Sequence, residues 1–203
     1  GDCLLELKNI KDKSIDFVYL DLPFGQTACA WDKKLDLKAL WIELIRIARH
    51  DRTPFFFSCT TKFGFELFNN SPKGFFRWDL VWEKNRAAGF LNAYKLPMRK
   101  HEMVYCFAKK TPEYDVSSHS EYTETKEYSR HCNGYGKDKE NIFKSKTHKD
   151  RLPSSVLDIP SSWCKYNLDE KINHRTAKPV KLMEFLLKYW SKEGDTILDP
   201  TAG

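Results

Sequence analysis

The sequence lacks three features that would place it outside the cytosol or in a membrane. It has no run of 18 or more apolar residues and no visible signal peptide, so we expect no membrane span. Its six cysteines are scattered and form no C-x-x-C pair, which argues against a disulfide framework. Reduced thiols and a cytoplasmic location are therefore expected.

A metal site is not expected either. His119, His131, Cys132 and His148 are separated by 12, 1 and 16 residues, which fits no usual zinc pattern. The charge is only moderately one-sided, with 34 Lys and Arg against 28 Asp and Glu, a net charge of +6. This excess permits a polyanionic partner without requiring one. Aromatic residues make up 14% of the chain and are expected mainly to fill the core.

The remaining pattern indicates an α/β fold. The chain has 203 residues, which suits one α/β domain or one with a large insertion. Apolar runs predict strands at 14–20, 53–59, 77–84, 101–108, 156–159 and 196–198, and the chain opens on what resembles the tail of a strand. Helical spacing predicts helices at 37–50, 62–69 and 178–190. Strands that alternate with helices indicate a mostly parallel sheet.

One long segment breaks this pattern. Residues 109–151 are polar, with ten Lys and Arg, eight Asp and Glu and little periodicity. We expect a long loop, because loops of this length inside a compact domain are usually functional or disordered. The residues alone leave open whether it is merely solvated or contacts nucleic acid.

The tetrapeptide Asp21-Leu22-Pro23-Phe24 follows the first predicted strand. In an open α/β sheet, ligands bind at the carboxyl ends of the strands. A carboxylate and a neighbouring carbonyl can accept the two N–H bonds of a nucleobase amine, and an aromatic ring can hold a base that has left its stack. An ordinary turn that ends a strand is the alternative interpretation.

Two further motifs occur near the other end of the chain. Asp199-Pro200-Thr201-Ala202-Gly203 follows a strand with small residues, which lets a nucleotide-like ligand approach the backbone. Thr176 and Lys178 stand at a predicted helix start and could bind a carboxylate there. An ordinary helix cap and a surface lysine are the alternative for this pair.

In this order, the motifs resemble those of one family, the permuted (β-class) DNA amino-methyltransferases, which use S-adenosylmethionine to methylate adenine N6 or cytosine N4. The resemblance is carried by Gly1-Asp2-Cys3-Leu4, the D-K-S-I-D of residues 12–16, Asp21-Leu22-Pro23-Phe24, Trp82-Glu83-Lys84, His101-Glu102, Thr176 with Lys178-Pro179, and residues 194–200. It spans both ends of the chain and is weak in the middle segment. It implies a Rossmann-like, mostly parallel α/β sheet.

The resemblance also implies roles. Asp21 and the carbonyl of Leu22, in the turn with Pro23, would accept the target amine, and Phe24 would stack on the flipped base. The cofactor would be bound by Asp2, Cys3, Thr176, Lys178, Asp199, Pro200, Thr201 and Gly203. Residues 1–108 would form the catalytic part, 109–154 a target-recognition insert and 155–203 the cofactor-binding part. Double-stranded DNA would be the substrate, contacted by Lys139, Lys144, Lys146 and Arg151, and a restriction endonuclease a possible companion.

Several alternatives stay open. Adenine is favoured over cytosine because an acidic first position is more frequent in adenine enzymes of the family. Leu22 stands where the family usually has Pro, which leaves room for a catalytically inactive DNA-binding relative. A dehydrogenase-like enzyme, or an amine in RNA or protein, are further alternatives. His101-Glu102 is expected to be structural. The chain resembles a fragment that ends inside the glycine loop, and as such it is expected to bind the cofactor poorly and to be inactive.

Overall fold

The structure is a computed structural model that describes residues 2–27, 29, 32–119, 124–130, 141–147, 152–161 and 177–202. These divide into two compact units, one of residues 1–114 with 155–203 and one of residues 115–154. In the larger unit the strands are β1 Phe17–Leu20, β2 Phe55–Cys59, β3 Phe76–Ala88, β4 Arg99–Phe107, β7 Val156–Asp158 and β8 Ile197–Leu198. Its helices are α1 Cys3–Leu7, α2 Leu37–Ile47, α3 Thr61–Asn70 and α4 Val180–Trp190.

The six strands form one sheet in the order β7-β3-β4-β2-β1-β8. Strand β1 pairs in parallel with β2 and β8, and β3 pairs in parallel with β7. Strand β4 is antiparallel to both β2 and β3. The mostly parallel sheet predicted from the alternating elements is therefore confirmed, and a single reversed strand lies in its middle.

Alternate residues of the central strands pack into two separate hydrophobic cores, one on each face of the sheet. Val18 and Leu20 of β1 pack with apolar residues of α1, α2 and α3, including the buried Trp41. Phe17 and Tyr19 face the opposite core, which contains residues of α4 such as Leu182 and Leu186. Because both faces of the sheet are covered, the strands consist of continuous apolar runs rather than alternating ones.

Helix starts follow from local capping. The Asp36 carboxylate accepts hydrogen bonds from the backbone N–H groups of Lys38 and Ala39 at the start of α2. The Thr60 hydroxyl accepts from the N–H of Phe63 at the start of α3. Such caps satisfy N–H groups that have no partner inside the helix. Pro179 stands at the cap position of α4, beside the predicted start at residue 178.

The smaller unit contains two antiparallel strands, β5 Glu124–Arg130 and β6 Asn141–Thr147. The expectation that residues 109–151 form a structureless loop is therefore wrong for these two segments. Their sequences, ETKEYSR and NIFKSKT, are mostly polar, so no apolar alternation predicts them. The opening of the chain also differs from its prediction, because Asp2 caps helix α1 where the tail of a strand was expected. Within the described ranges, every helix is too short or too polar to cross a bilayer.

Candidate functional site

The two terminal motifs meet at the carboxyl edge of the sheet. Strands β1 and β8 are parallel neighbours, so the residues that follow them emerge side by side. The Asp21 N–H donates to Thr201 Oγ1 at 2.9 Å, although the two residues are 180 positions apart. Asp199 Oδ1 in turn accepts from the Thr201 hydroxyl and N–H, both at 2.8 Å. The fold thus joins the Asp21 turn to the Asp199 turn.

The Asp21 carboxylate has a cationic partner that the sequence did not reveal. Lys178 Nζ donates to Asp21 Oδ2 at 2.5 Å, and the side chain of Lys178 is only 12% exposed. Burial raises the pKa of Asp21 above its ordinary value. Lys178 opposes that rise, while the carboxylates of Glu102 and Asp199 add to it. Asp21 is therefore a partly buried acid, 25% exposed, whose charged form is favoured by one close lysine.

Glu102 on β4 extends this arrangement into a network of four charged side chains. One of its oxygens accepts from Lys84 Nζ, and the other, Oε2, lies 3.7 Å from Lys178 Nζ. Oε2 is buried and has no hydrogen-bond partner among the described residues. Lys84 also lies over the ring of Trp82, 5.1 Å from its centroid. His101-Glu102 was predicted to be structural, and the structure shows Glu102 paired with Lys84 and close to the Asp21–Lys178 pair.

The turn after β1 is held by a residue that sequence reasoning missed. The carboxylate of Asp32, which is 8% exposed, accepts from the N–H groups of Gly25, Gln26 and Thr27 and from the Thr27 hydroxyl. Burial acts to raise the pKa of Asp32, but these hydrogen bonds outweigh it and hold the pKa below its usual value. A turn of Gly, Gln and Thr followed by an acid was the available signal.

Within the same turn, Leu22 and Phe24 have different environments. The Leu22 side chain is buried in the core, so the residue that replaces the family's Pro is anchored by packing. The Phe24 ring is half-buried and lies 5.2 Å from the ring of Phe63, between ring centroids. Gly25 follows with φ of +63°, and a Cβ there would come within 2.5 Å of Lys34 Cγ. Glycine is therefore the residue that suits this position.

A buried hydroxyl pair lies on β1 and β2 near the same edge. The hydroxyls of Tyr19 and Ser58 are 2.6 Å apart and both residues are buried. Burial, followed by the nearby Asp21 carboxylate, raises the pKa of Tyr19 well above its ordinary value. Tyr19 therefore stays a neutral phenol beneath the charged network and adds no charge to it.

The other predicted site residues are distributed as follows. Asp2 caps α1, and burial together with Asp2 raises the pKa of the half-buried thiol of Cys3. Within the described residues, neither of these two forms a hydrogen bond or ion pair with Asp21, whereas Pro200 lies in the Asp199 turn. The predictions for Thr176, Gly203, Lys139 and Arg151, and for the side chains of Lys144 and Lys146, lie outside the described residues. Across the described part of the chain, no group of three His, Cys, Asp or Glu could hold a metal ion.

Comparison with known proteins gives matches over almost the whole chain. The N6_N4_Mtase family, described as DNA methylase, matches residues 15–203. The DNA adenine methyltransferase YhdJ of Escherichia coli K12 is 26% identical over 215 residues, which cover 100% of this chain and 70% of that protein.

Solved structures share the fold. The PvuII DNA methyltransferase, which is cytosine-N4-specific, superposes with a TM-score of 0.62 at 17% identity, over 98% of this chain and 71% of that one. TTHA0409 of Thermus thermophilus gives a TM-score of 0.59 at 18% identity, over 100% of this chain and 78% of that one. The same protein complexed with S-adenosyl-L-methionine gives 0.54 at 16% identity, over 100% and 79%.

Proposed function

Because this chain belongs to the N6_N4_Mtase family of DNA methylases, we propose that it methylates N6 of adenine in double-stranded DNA. It is an S-adenosylmethionine-dependent DNA methyltransferase that acts on an exocyclic amine, adenine N6 or cytosine N4. The observation that carries the proposal is the bond from the Asp21 N–H to Thr201 Oγ1. It brings the residues proposed to hold the amine next to those proposed to hold the methyl donor.

Two observations favour adenine. The first position of the D-L-P-F turn is acidic, which resembles the adenine enzymes of the family more often than the cytosine enzymes. The curated relative YhdJ, which matches the whole chain, is named an adenine enzyme. Cytosine N4 is the second candidate, because the PvuII enzyme with the same fold acts there. The chemistry is the same for both bases, so the choice depends on the shape of the pocket.

The proposed mechanism starts from the weakness of the nucleophile. The lone pair of an exocyclic amine is delocalised into the ring, so the amine must be held in a form that can react. Asp21 accepts one N–H and the Leu22 carbonyl accepts the other, while Phe24 stacks on the extruded base within the turn of Pro23. S-adenosylmethionine, when bound, supplies an electrophilic methyl group. The proton lost from the amine passes to Asp21 or to solvent.

The residues at the strand tips fit such a cofactor. Lys178 is a largely buried ammonium group, whose charge suits the carboxylate of the amino acid moiety. Asp199 and Thr201 form a turn of small residues at the edge where ligands of α/β sheets bind. We propose that these residues hold the cofactor, together with Asp2, Cys3, Pro200, Thr176 and Gly203. Glu102 would balance the charge of Lys178 while Lys178 binds the carboxylate of the cofactor.

The assignment of separate roles to three segments of the chain is also a proposal. Residues 109–154 would recognise the target sequence, with Lys139, Lys144, Lys146 and Arg151 as phosphate contacts. Residues 1–108 would carry the amine site and 155–203 the cofactor site. We further propose a cytoplasmic enzyme, and a restriction endonuclease of the same specificity as a companion. Cleavage of unmethylated DNA by extracts of the source cells would reveal that companion.

The decisive experiment is the analysis of DNA from cells that express the full-length protein. Mass spectrometry of the nucleosides identifies the modified base, and sequencing with methylation detection gives its sequence context. We expect N6-methyladenine at one short recurrent sequence, and none in cells that express the Asp21→Ala variant. N4-methylcytosine instead would select the second candidate. No methylated base in either culture, with the protein folded and bound to DNA, would select the inactive relative.

A further inference from the structure

The connection between β3 and β4 forms an exposed hairpin, residues 85–100, in which every residue is exposed. Five of these residues are large and apolar, namely Phe90, Leu91, Tyr94, Leu96 and Met98. Phe90 is 73% exposed, Leu91 83% and Tyr94 fully so. Scattered apolar residues on a surface need no explanation, but a contiguous group on one segment marks an interaction site.

The exposed hairpin projects from the edge that carries the Asp21 site. Strand β3 runs in the same direction as β1, because both β2 and β3 are antiparallel to β4 and β1 is parallel to β2. The end of β3 and the start of β4 therefore lie at the carboxyl edge of the sheet. Lys84 and Glu102 at the base of the hairpin belong to the network that reaches Asp21. The hairpin is thus continuous with the proposed amine site.

Its backbone presents the apolar tip outward. Gly89 adopts a left-handed conformation with φ of +93°, and a short 3₁₀ turn follows at Phe90–Asn92. The pairing of β3 with β4 is irregular between Glu83 and Ala88, so the regular ladder ends before the turn. The left-handed Gly89 is thus followed directly by two strongly exposed apolar side chains, Phe90 and Leu91.

The charge of the hairpin identifies the class of partner. Residues 85–100 contain four basic side chains, Arg86, Lys95, Arg99 and Lys100, and no acidic one. Lys100 is paired with Glu83, 2.7 Å away, and the other three form no ion pair within the described residues. A second copy of the chain would bring this surface close to an identical positive surface in a two-fold dimer, which is unfavourable. A polyanion with apolar stacking faces fits both features.

We propose that the exposed hairpin inserts its tip, Phe90 and Leu91, into the DNA duplex beside the flipped base. Arg86, Lys95 and Arg99 bind the flanking phosphates. Extruding a base leaves a gap in the stack, and apolar side chains that enter a base step offset part of the unstacking. The basic side chains supply the salt-dependent part of the affinity. This inference rests on the proposed function in that the substrate is duplex DNA from which the target base is flipped.

The insertion is tested with the double variant Phe90→Ala/Leu91→Ala of the full-length protein. The probe is a labelled duplex that carries the methylated sequence, in one version fully paired and in another with a mismatch opposite the target base. A mismatched base needs less energy to flip. We expect the double variant to lose affinity for the paired duplex about tenfold and for the mismatched duplex no more than about twofold. An equal loss on both duplexes would overturn the insertion.

The phosphate contacts are tested by the salt dependence of binding. Arg86→Gln, Lys95→Gln and Arg99→Gln should each lower the slope of log affinity against log salt by about 0.9. The matched controls are Lys38→Gln and Ile42→Ala, exposed residues of α2 outside the hairpin, which should leave both readouts unchanged. Unchanged slopes for all three hairpin variants would overturn the phosphate contacts.

A third measurement separates DNA from the competing partner. Sedimentation of wild type and of Phe90→Ala/Leu91→Ala reports self-association. If the double substitution dissolves a dimer and leaves DNA affinity unchanged, a second copy occupies the hairpin and the proposal fails. These readouts measure binding, so they hold whether the methylated base is adenine or cytosine. A failure of the proposed function would appear in the nucleoside analysis and not here.

Discussion

The charged network at the strand tips and the exposed hairpin depart from ordinary burial in opposite directions. Around Asp21, four charged side chains are withdrawn from water, among them Lys178 and Glu102 at 12% and 14% exposure. In the hairpin, apolar side chains such as Leu91 are left in water. Neither arrangement favours folding, because buried charges and exposed apolar groups are both unfavourable. Their adjacency indicates that this edge is built for a ligand, and the rest of the sheet supplies the stability.

The largest effect on the charged network is expected from Asp21→Asn. An amide keeps the shape but accepts hydrogen bonds less strongly, and we expect methyl transfer to fall about 10³-fold with DNA affinity unchanged.

Burial raises the pKa of Asp21 in the folded state, so the wild type loses stability as pH rises through that pKa. The variant should not show this loss. Thermal unfolding between pH 3 and pH 7, with turnover assays, checks both parts, and retained activity would remove Asp21 from the mechanism.

The next largest effect is expected at Asp32, whose carboxylate holds the turn after Phe24. Asp32→Ala removes four hydrogen bonds and leaves three backbone N–H groups unpaired. We expect a loss of about 2–3 kcal/mol in stability and about 10²-fold in turnover, because the turn carries the proposed amine site. Denaturant titration and single-turnover rates measure these effects.

A matched control is available for that experiment. Asp36→Ala removes a carboxylate of the same type that caps α2 through two hydrogen bonds. It should lower stability by about 1 kcal/mol and leave turnover intact. Equal losses of turnover in Asp32→Ala and Asp36→Ala would mean that general destabilisation, and not the shape of the turn, explains the result.

A smaller and more specific effect is expected at Lys178. Lys178→Gln removes the cation that opposes the burial of Asp21, so the pKa of Asp21 should rise further. The acid limb of the pH–rate profile should then move to higher pH, and turnover at pH values below that limb should fall about tenfold. Lys178→Arg keeps the charge and should retain the wild-type limb. If the acid limb of Lys178→Gln stays at the wild-type pH, Lys178 does not influence the pKa of Asp21.

The smallest effect is expected for the stability of the DNA-free protein when an exposed side chain of the hairpin is shortened. Leu91→Ala should change the free energy of unfolding by less than about 0.5 kcal/mol, because the side chain is exposed. Leu44→Ala, in the fully buried core, should lower it by about 2–5 kcal/mol. If Leu91→Ala destabilises the protein as much as Leu44→Ala, the hairpin packs against another part of the protein and is not available to DNA.

Periodicity and turn chemistry were enough to predict most of the larger unit. The buried strands at Phe17 and Phe55 are apolar runs, and the predicted helices at 37–50 and 62–69 differ from α2 and α3 only at their ends. Strands β5 and β6 were not predicted because their sequences are mostly polar and show no regular apolar alternation. The resemblance also led to Asp21 and Asp199, which the sheet joins through Thr201.

The partners within the site were less accessible to sequence reasoning. Lys178 was expected to face the cofactor and Glu102 to be structural, and their contact with each other and with Asp21 depends on tertiary placement. Strand β4 is the reversed strand, so Glu102 reaches the carboxyl edge from the beginning of its strand. Sequence reasoning that considers only the residues that follow a strand therefore misses Glu102. Asp32 was missed because the turn it closes has no periodic pattern.

The hydrogen bond between Asp21 and Thr201 also has a consequence for protein synthesis. The two residues are 180 positions apart, so the first leaves the ribosome long before the second. At typical elongation rates the interval is roughly 10–40 s. During that interval the nascent chain already carries its acidic turn but lacks the neighbour that completes it. Until translation has passed β8, the growing polypeptide therefore lacks the Thr201 hydroxyl that accepts the hydrogen bond from the Asp21 N–H.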